Sequence, residues 1–305
     1  MSRKAKETAT VMNQSSGENW TLIHGDTGHA ITDIPSNSVG FSIYSPPFVD
    51  LFVYSTSAAD LGNCANDAQF YEQYRHIIRE KLRVTKPGRL SAVHCTDLPT
   101  RKFKDGFIGI KAFSDAIREA HEAEGWIYHC RITVWRDPVV EMQRTKALGL
   151  LYKQLCKDSC MSRVGLADYV LVFRKPGDNA EPVGQDRAKF PVDQWQKWAS
   201  PVWMDIDQTN VLNGRTAREN DDERHICPLQ LDVIERAMEL WSNPGDLVFS
   251  PFTGIGSEGY VSIEMGRRFV GSELKRSYFD LACRNLLKAR EHKETGLFHA
   301  EEMAA

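Results

Sequence analysis

The residues best equipped for chemistry fall in two short stretches. The first is Ser45-Pro46-Pro47-Phe48, directly behind the alternating run Val39, Phe41, Ile43. Proline fixes φ and has no N–H to donate, so the pair would hold a hydroxyl, a carbonyl and an aromatic ring rigidly at a strand end. Taken alone, the stretch reads first as a stiff loop. The second is the glycine turn inside "GDLVFSPFTGIGSEGYVSIEMGRRFVGSE", residues 245–273. Its order is strand, tight turn, helix, strand, acid. Gly254 and Gly256 let the backbone approach a ligand closely, ahead of an electropositive helix N-terminus. Glu273 follows Gly254 by 19 residues, where nucleotide-binding α/β folds carry the acid that binds ribose hydroxyls. The third glycine of the dinucleotide fingerprint is missing, and Ser257-Glu258-Gly259 follows instead. An acid there would repel a pyrophosphate. That turns the reading toward a nucleoside bearing an amino acid, and S-adenosylmethionine is one. The alternative is a purely structural turn.

Something must bring two stretches 200 residues apart together. Strand and helix patterns alternate along most of the chain. Residues 67–83 follow a helical period through Phe70, Tyr74, Ile77 and Ile78, with Asp67 as a cap. "KPGR" breaks that helix, and "LSAVHC" reads as the next strand. Residues 112–124 form a helix stopped by Gly125. "WIYHCRITVW" and "YVLVF" are strands, "PLQLDVIERAMELW" is an amphipathic helix with Pro228 in its first turn, and a last helix covers 276–290. Such alternation predicts an α/β fold with a mostly parallel sheet and helices on both faces. Residues 174–225 are polar and weakly periodic and read as a loop-rich insertion. The expected division is a loose leader over 1–19, a first half over 20–173, that insertion, a second half over 226–290 and a tail over 291–305.

Net charge is −3, so a nucleic-acid partner would have to meet a local patch. Residues 131–163 offer one: seven Lys and Arg, among them Arg136, Arg144, Lys146 and Lys153, face three acids, a local net of +4. A solvated helix face is the other reading of such a run. Three tryptophans in "WQKWASPVWMDID" either form a small core or stack on bases. The seven cysteines form no CxxC pair, which predicts a reduced cytoplasmic chain with no disulfide framework and no metal site. No 18-residue apolar run is present, so no membrane span is expected.

At this point the residues resemble a family. Ser45-Pro46-Pro47-Phe48 resembles the catalytic motif of DNA amino-methyltransferases, which act on cytosine N4 or adenine N6. "NPGDLVFSPFTGIGS" resembles their cofactor motif, "GRRFVGSELKRSYFDLACRNL" the segment after it, and "HICPLQLDVIERAMELWSNPGD" the helix before it. With the catalytic motif N-terminal and the cofactor loop C-terminal, the order resembles the permuted beta class, with a lean toward phage or prophage members. The resemblance spans about residues 20–290. It implies a Rossmann-like methyltransferase fold with circularly permuted motifs.

The resemblance also implies roles. An exocyclic amine is a poor nucleophile because its lone pair is delocalised into the ring. Acceptors that hold its N–H bonds free that lone pair, and Ser45 Oγ and the Pro46 carbonyl would be those acceptors. Pro47 would help fix the carbonyl, and Phe48 would stack on a base flipped out of double-stranded DNA. Ser250, Phe252, Gly254, Gly256, Ser257 and Glu273 would hold S-adenosylmethionine, with Ser250 standing where the family has an acid. Asp26 matches a family acid near the cofactor's adenine and reads equally as a helix cap. His225 is either a helix-start residue or a contact to the cofactor's carboxylate. His24 and His29 read as surface residues. Ser45 leans the substrate toward cytosine N4, with adenine N6 a close second. An RNA or protein-amide methyltransferase, or a silent DNA-binding module of the same fold, is the alternative. The enzyme is expected in the cytoplasm of a bacterial host as a monomer or homodimer, with no metal.

Overall fold

The alternating apolar segments pair into one large mixed sheet in the computed structural model, which describes residues 11–47, 67–100, 105–213 and 228–304. Its strands are β1 (Asn13–Ser16), β2 (Trp20–His24), β3 (Val39–Tyr44), β4 (Thr85–Thr96), β7 (Ile127–Val134), β8 (Asp168–Arg174), β9 (Val202–Trp203), β10 (Leu247–Ser250) and β11 (Arg268–Glu273). Between them β5 (Leu98–Pro99) and β6 (Ile110–Lys111) make a separate small hairpin. The helices are α1 (Thr27–Ala30), α2 (Asp67–Val84), α3 (Phe113–Ala123), α4 (Pro138–Thr145), α5 (Tyr152–Lys157), α6 (Val192–Trp198), α7 (Leu231–Trp241), α8 (Ser257–Glu264) and α9 (Arg276–Ala304). The strand order is β1-β2-β11-β10-β3-β4-β8-β7-β9. From β2 to β4 the strands are parallel, and β8 runs antiparallel to both β4 and β7.

This order creates the site. After β10 the chain crosses to β11 on one side, whereas after β3 it crosses to β4 on the other. Connections leaving a parallel sheet in opposite directions open a crevice at the strands' carboxyl ends. That crevice lies between β10 and β3, which pair Val248 with Phe41 and Phe249 with Ser42. Two cores flank the sheet. On one face Phe41, Ile43, Val248 and Phe269 pack under α7, α8 and α9 with Val233, Val261 and Leu286. On the other, Tyr44, Val93 and Leu171 pack under α2 and α3 with Tyr74, Ile78 and Ile117. A buried Arg89–Asp246 ion pair ties β4 to the turn before β10, and a Cβ on Gly40 would strike that carboxylate.

Several expectations need correction. "KPGR" does not separate helix from strand, because β4 begins at Thr85. Val39 pairs with Thr85 and Phe41 with Leu90, so a bulge with Gly88 at φ 70° absorbs the break. Pro228 precedes α7 instead of entering its first turn, since Gln230 is the cap. The 174–225 insertion contributes α6 and the edge strand β9, which pairs with β7. Of its tryptophans Trp203 is core, Trp198 is half-buried against Arg236, and Trp195 is exposed. His24 is buried, with its ring beside Phe279 and its Nε2 3.2 Å from the Leu274 carbonyl. Among the described residues, no helix is long and apolar enough to cross a membrane.

Directly under the SPPF motif lies a buried polar chain. Lys81 Nζ donates to Tyr44 Oη at 2.6 Å, and the Tyr44 and Tyr74 hydroxyls are 2.8 Å apart. Burial lowers the Lys81 ammonium well below its ordinary value. The unfolded chain therefore binds more protons than the folded one between that lowered value and the usual lysine value of about 10.4, and stability rises with pH across the window. Lys81→Met is expected to abolish this rise and to raise stability at neutral pH, because the two tyrosines still bond each other. Urea unfolding near neutrality and in mild alkali measures both; an unchanged slope would show that the lysine is not the group responsible.

Candidate active site

The register of β3 places the SPPF motif. Tyr44 pairs with Val93, so Ser45, the first residue past β3, comes beside His94, still within β4, and Ser45 Oγ lies 2.9 Å from His94 Nδ1. Across β4 and β8, Thr96 pairs with Asp168. His94 Nε2 stands 3.5 Å from Asp168 Oδ2, an ion-pair separation outside hydrogen-bond geometry. Arg136, two residues past β7, donates from Nη1 to Asp168 Oδ1 at 2.9 Å. Burial would raise the Asp168 carboxyl, but its contacts with His94 and Arg136 outweigh that and hold it below the usual carboxylate range. Ser45 and Pro47 are half-buried and Pro46 is buried. Phe48 lies outside the described residues.

On the other side of the crevice, β10 ends at Ser250, whose Oγ is fully buried and has no hydrogen-bond partner among the described residues. Pro251 offers its carbonyl to the hydroxyls of Thr27 and Ser272, which fastens the strand end to its neighbours. The Phe252 ring lies 5.9 Å from that of Tyr44 and 6.4 Å from that of Tyr74, so it spans from the glycine loop to the SPPF strand. Gly254 and Gly256 both take positive φ, 55° and 92°, which only glycine adopts without strain. A Cβ on Gly254 would meet nothing within 4 Å among the described residues, whereas one on Gly256 would press against Ala282 at 3.2 Å. Gly254 therefore leaves open space at the crevice, and Gly256 seats the loop on α9.

Glu273 ends β11 and accepts from the backbone N–H groups of Gly254 and Lys275, each at 2.8 Å. Asp26 follows β2, and its carboxylate caps α1 through Gly28 at 3.0 Å and faces His29 Nδ1 at 3.2 Å. Because β2 pairs His24 with Glu273, both acids share one end of the sheet. Ser257 Oγ, at the start of α8, is buried without a hydrogen-bond partner among the described residues. Beside it the Glu258 carboxyl is buried, and that burial, with repulsion from Glu273, pushes it up to about 8. Open space at Gly254, unpartnered hydroxyls on Ser250 and Ser257, and a carboxylate at the strand end fit a nucleoside that also carries an amino acid. His225 lies outside the described residues.

The basic stretch is divided by the fold. Arg136 pairs with Asp168, Arg131 with Asp115 and Arg163 with Glu141. Lys146, Lys153 and Lys157 are exposed, and nothing is described of the Arg144 side chain. His94 and Asp168 were not singled out from sequence. The one local sign is a histidine near the carboxyl end of a largely apolar strand, "LSAVHC".

A family model described as DNA methylase matches residues 29–284. The chain is similar to Type II methyltransferase M.BglII of Bacillus subtilis, 26% identical over 267 residues, covering 86% of this chain and 67% of that one. It is also similar to DNA adenine methyltransferase YhdJ of Escherichia coli (strain K12), 26% identical over 291 residues, covering 93% of this chain and 86% of that one. Among solved structures, TTHA0409 from Thermus thermophilus, a putative DNA modification methylase complexed with S-adenosyl-L-methionine, superposes with a TM-score of 0.66 at 20% identity, covering 88% of this chain and 93% of that one.

Proposed function

The chain belongs to the DNA methylase family, and from that premise we propose that the crevice between β10 and β3 moves a methyl group from S-adenosylmethionine to the exocyclic amine of a flipped base in double-stranded DNA. The chain is an S-adenosylmethionine-dependent DNA methyltransferase of the cytosine-N4 or adenine-N6 kind. The observation that supports the site assignment is that Ser250 ends β10 and Ser45 follows the end of the adjacent parallel strand β3, so the catalytic-type and cofactor-type motifs border one crevice.

S-adenosylmethionine, when bound, supplies an electrophilic sulfonium methyl. This chain's residues do the rest. Glu273 would hold the ribose, Asp26 would border the adenine, and Gly254 would permit close approach. Ser250 Oγ would offer a neutral acceptor where the cofactor motif that this stretch resembles has an acid. Ser45 Oγ and the Pro46 carbonyl accept from the target amine, and Phe48 stacks on the base. Positioning of the amine against the methyl supplies much of the rate. Ser45 favours cytosine N4 over adenine N6. The reading implies the cytoplasm of a bacterial cell, where cofactor and DNA meet.

The test is transfer of a tritiated methyl group to unmethylated DNA, RNA and protein, followed by nucleoside mass spectrometry. N4-methylcytosine or N6-methyladenine in DNA is the expected product; label confined to RNA or protein would overturn the substrate. Lys146 and Lys153, exposed beyond the paired arginines, are the proposed phosphate contacts, with Arg144 beside them. Reversing both lysines to Glu should weaken DNA binding and flatten the log–log salt slope by about 2, since each contact releases roughly one counterion. A slope unchanged from the parent would place both lysines away from DNA.

A further inference from the structure

We propose that His94, backed by Asp168 and Arg136, is a positioning residue that aims the Ser45 hydroxyl and receives the proton the substrate amine must lose. The inference rests on the reading of Ser45 given above. Its observation is a continuous line of contacts: Ser45 Oγ to His94 Nδ1 at 2.9 Å, His94 Nε2 to Asp168 Oδ2 at 3.5 Å, and Asp168 Oδ1 to Arg136 Nη1 at 2.9 Å. Four strands supply these residues, and strand register sets each junction. His94 is 8% exposed and Asp168 4% exposed, so neither is arranged for solvent.

The arrangement selects one tautomer. With the anionic Asp168 beside Nε2, the ring proton belongs on Nε2, and Nδ1 is left as an acceptor. Ser45 must then donate its O–H to Nδ1. Its oxygen lone pairs are turned outward to accept from the amine N–H, which is the state the transfer needs. Without His94 the hydroxyl could rotate and donate to the amine's own lone pair, which would block attack.

The same line carries the proton away. As the amine lone pair forms the new N–C bond, the C–S bond of the methyl donor breaks and its electrons remain on sulfur, discharging the sulfonium. The nitrogen is left cationic. Its proton passes to Ser45 Oγ as the serine proton passes to His94 Nδ1. The resulting imidazolium is stabilised by the Asp168 carboxylate, whose Oδ2 stands 3.5 Å from Nε2, and Arg136 keeps that carboxylate ionised.

Two measurements on the whole protein test this. In the ligand-free enzyme, side-chain ¹⁵N shifts should show His94 protonated at Nε2 with Nδ1 a hydrogen-bonded acceptor, and Ser45→Ala should move the Nδ1 signal alone. In transfer assays His94→Ala should lower kcat by about ten- to a hundredfold, between the loss of one hydrogen bond and the loss of a general base. KM for DNA and the dissociation constant for S-adenosylmethionine should stay within a few-fold. His94→Asn, which keeps an acceptor near the Nδ1 position but takes no proton, should recover part of kcat. A ring protonated on Nδ1, or a folded His94→Ala enzyme at parental kcat, would overturn the proposal. Ser45→Ala run alongside separates the two readings: if it too is fully active, the role of Ser45 has failed; if it alone is impaired, only the role of His94 has.

Discussion

Ser45→Ala is expected to lower methyl transfer by about 10² or more, the scale of losing one preorganised polar group at a reacting centre. Cofactor affinity should change by less than about 1 kcal/mol, a few-fold. The separation follows from the fold. Ser45 leaves β3, whereas the glycine loop and Glu273 belong to β10 and β11, with Ser45 Oγ engaged by His94 and Glu273 by the Gly254 N–H. Removing the hydroxyl leaves the Pro46 carbonyl, so a residual rate is expected. Single-turnover transfer and calorimetric binding of S-adenosylmethionine measure the two effects independently. Parental transfer by the alanine variant would reduce the motif to a stiff loop at the end of a strand.

Glu273→Ala should act in the opposite sense, on binding more than on the chemical step. Loss of one charge-assisted hydrogen bond weakens S-adenosylmethionine by roughly 1–3 kcal/mol. That corresponds to about 5- to 150-fold in the dissociation constant. Part of the loss is indirect, because Glu273 Oε2 also accepts the Gly254 N–H at 2.8 Å and so holds the loop in shape. Glu273→Gln separates the two contributions: its amide oxygen can still accept from Gly254 while its charge is gone. Alanine well below glutamine in affinity would assign most of the effect to the loop; equal losses would assign it to the charge. Affinity unchanged in both variants would remove Glu273 from the cofactor site.

The helical half of the architecture was legible because its signals are local. Phe70, Tyr74, Ile77 and Ile78 recur at helical spacing and form the buried stripe of α2. The glycine turn was equally legible. Gly254 and Gly256 take the positive φ that their residue type permits, and the strand, helix and acid around them occur within one contiguous segment. The permuted motif order could be read along the chain as well, and with it the fold class.

Other features depended on who neighbours whom. Proline and glycine in "KPGR" signal a break in local structure, yet pairing of β4 with β3 carries the strand through it as a bulge. Arg131, Arg136 and Arg163 belong to a run whose local charge is net positive, and tertiary packing sets an acid against each of them. His24 lacked any partner spacing and proved buried beneath α9. By itself, then, the sequence determined the two motifs, their order and the α/β class that must hold them, because each is written in a short run of residue types and dihedral preferences. Only the tertiary structure decided that Ser45 meets His94, and His94 meets Asp168. Those contacts join residues 49 and 74 positions apart through the register of three adjacent strands, and register is fixed by the burial of whole strands against both cores, which no local segment encodes.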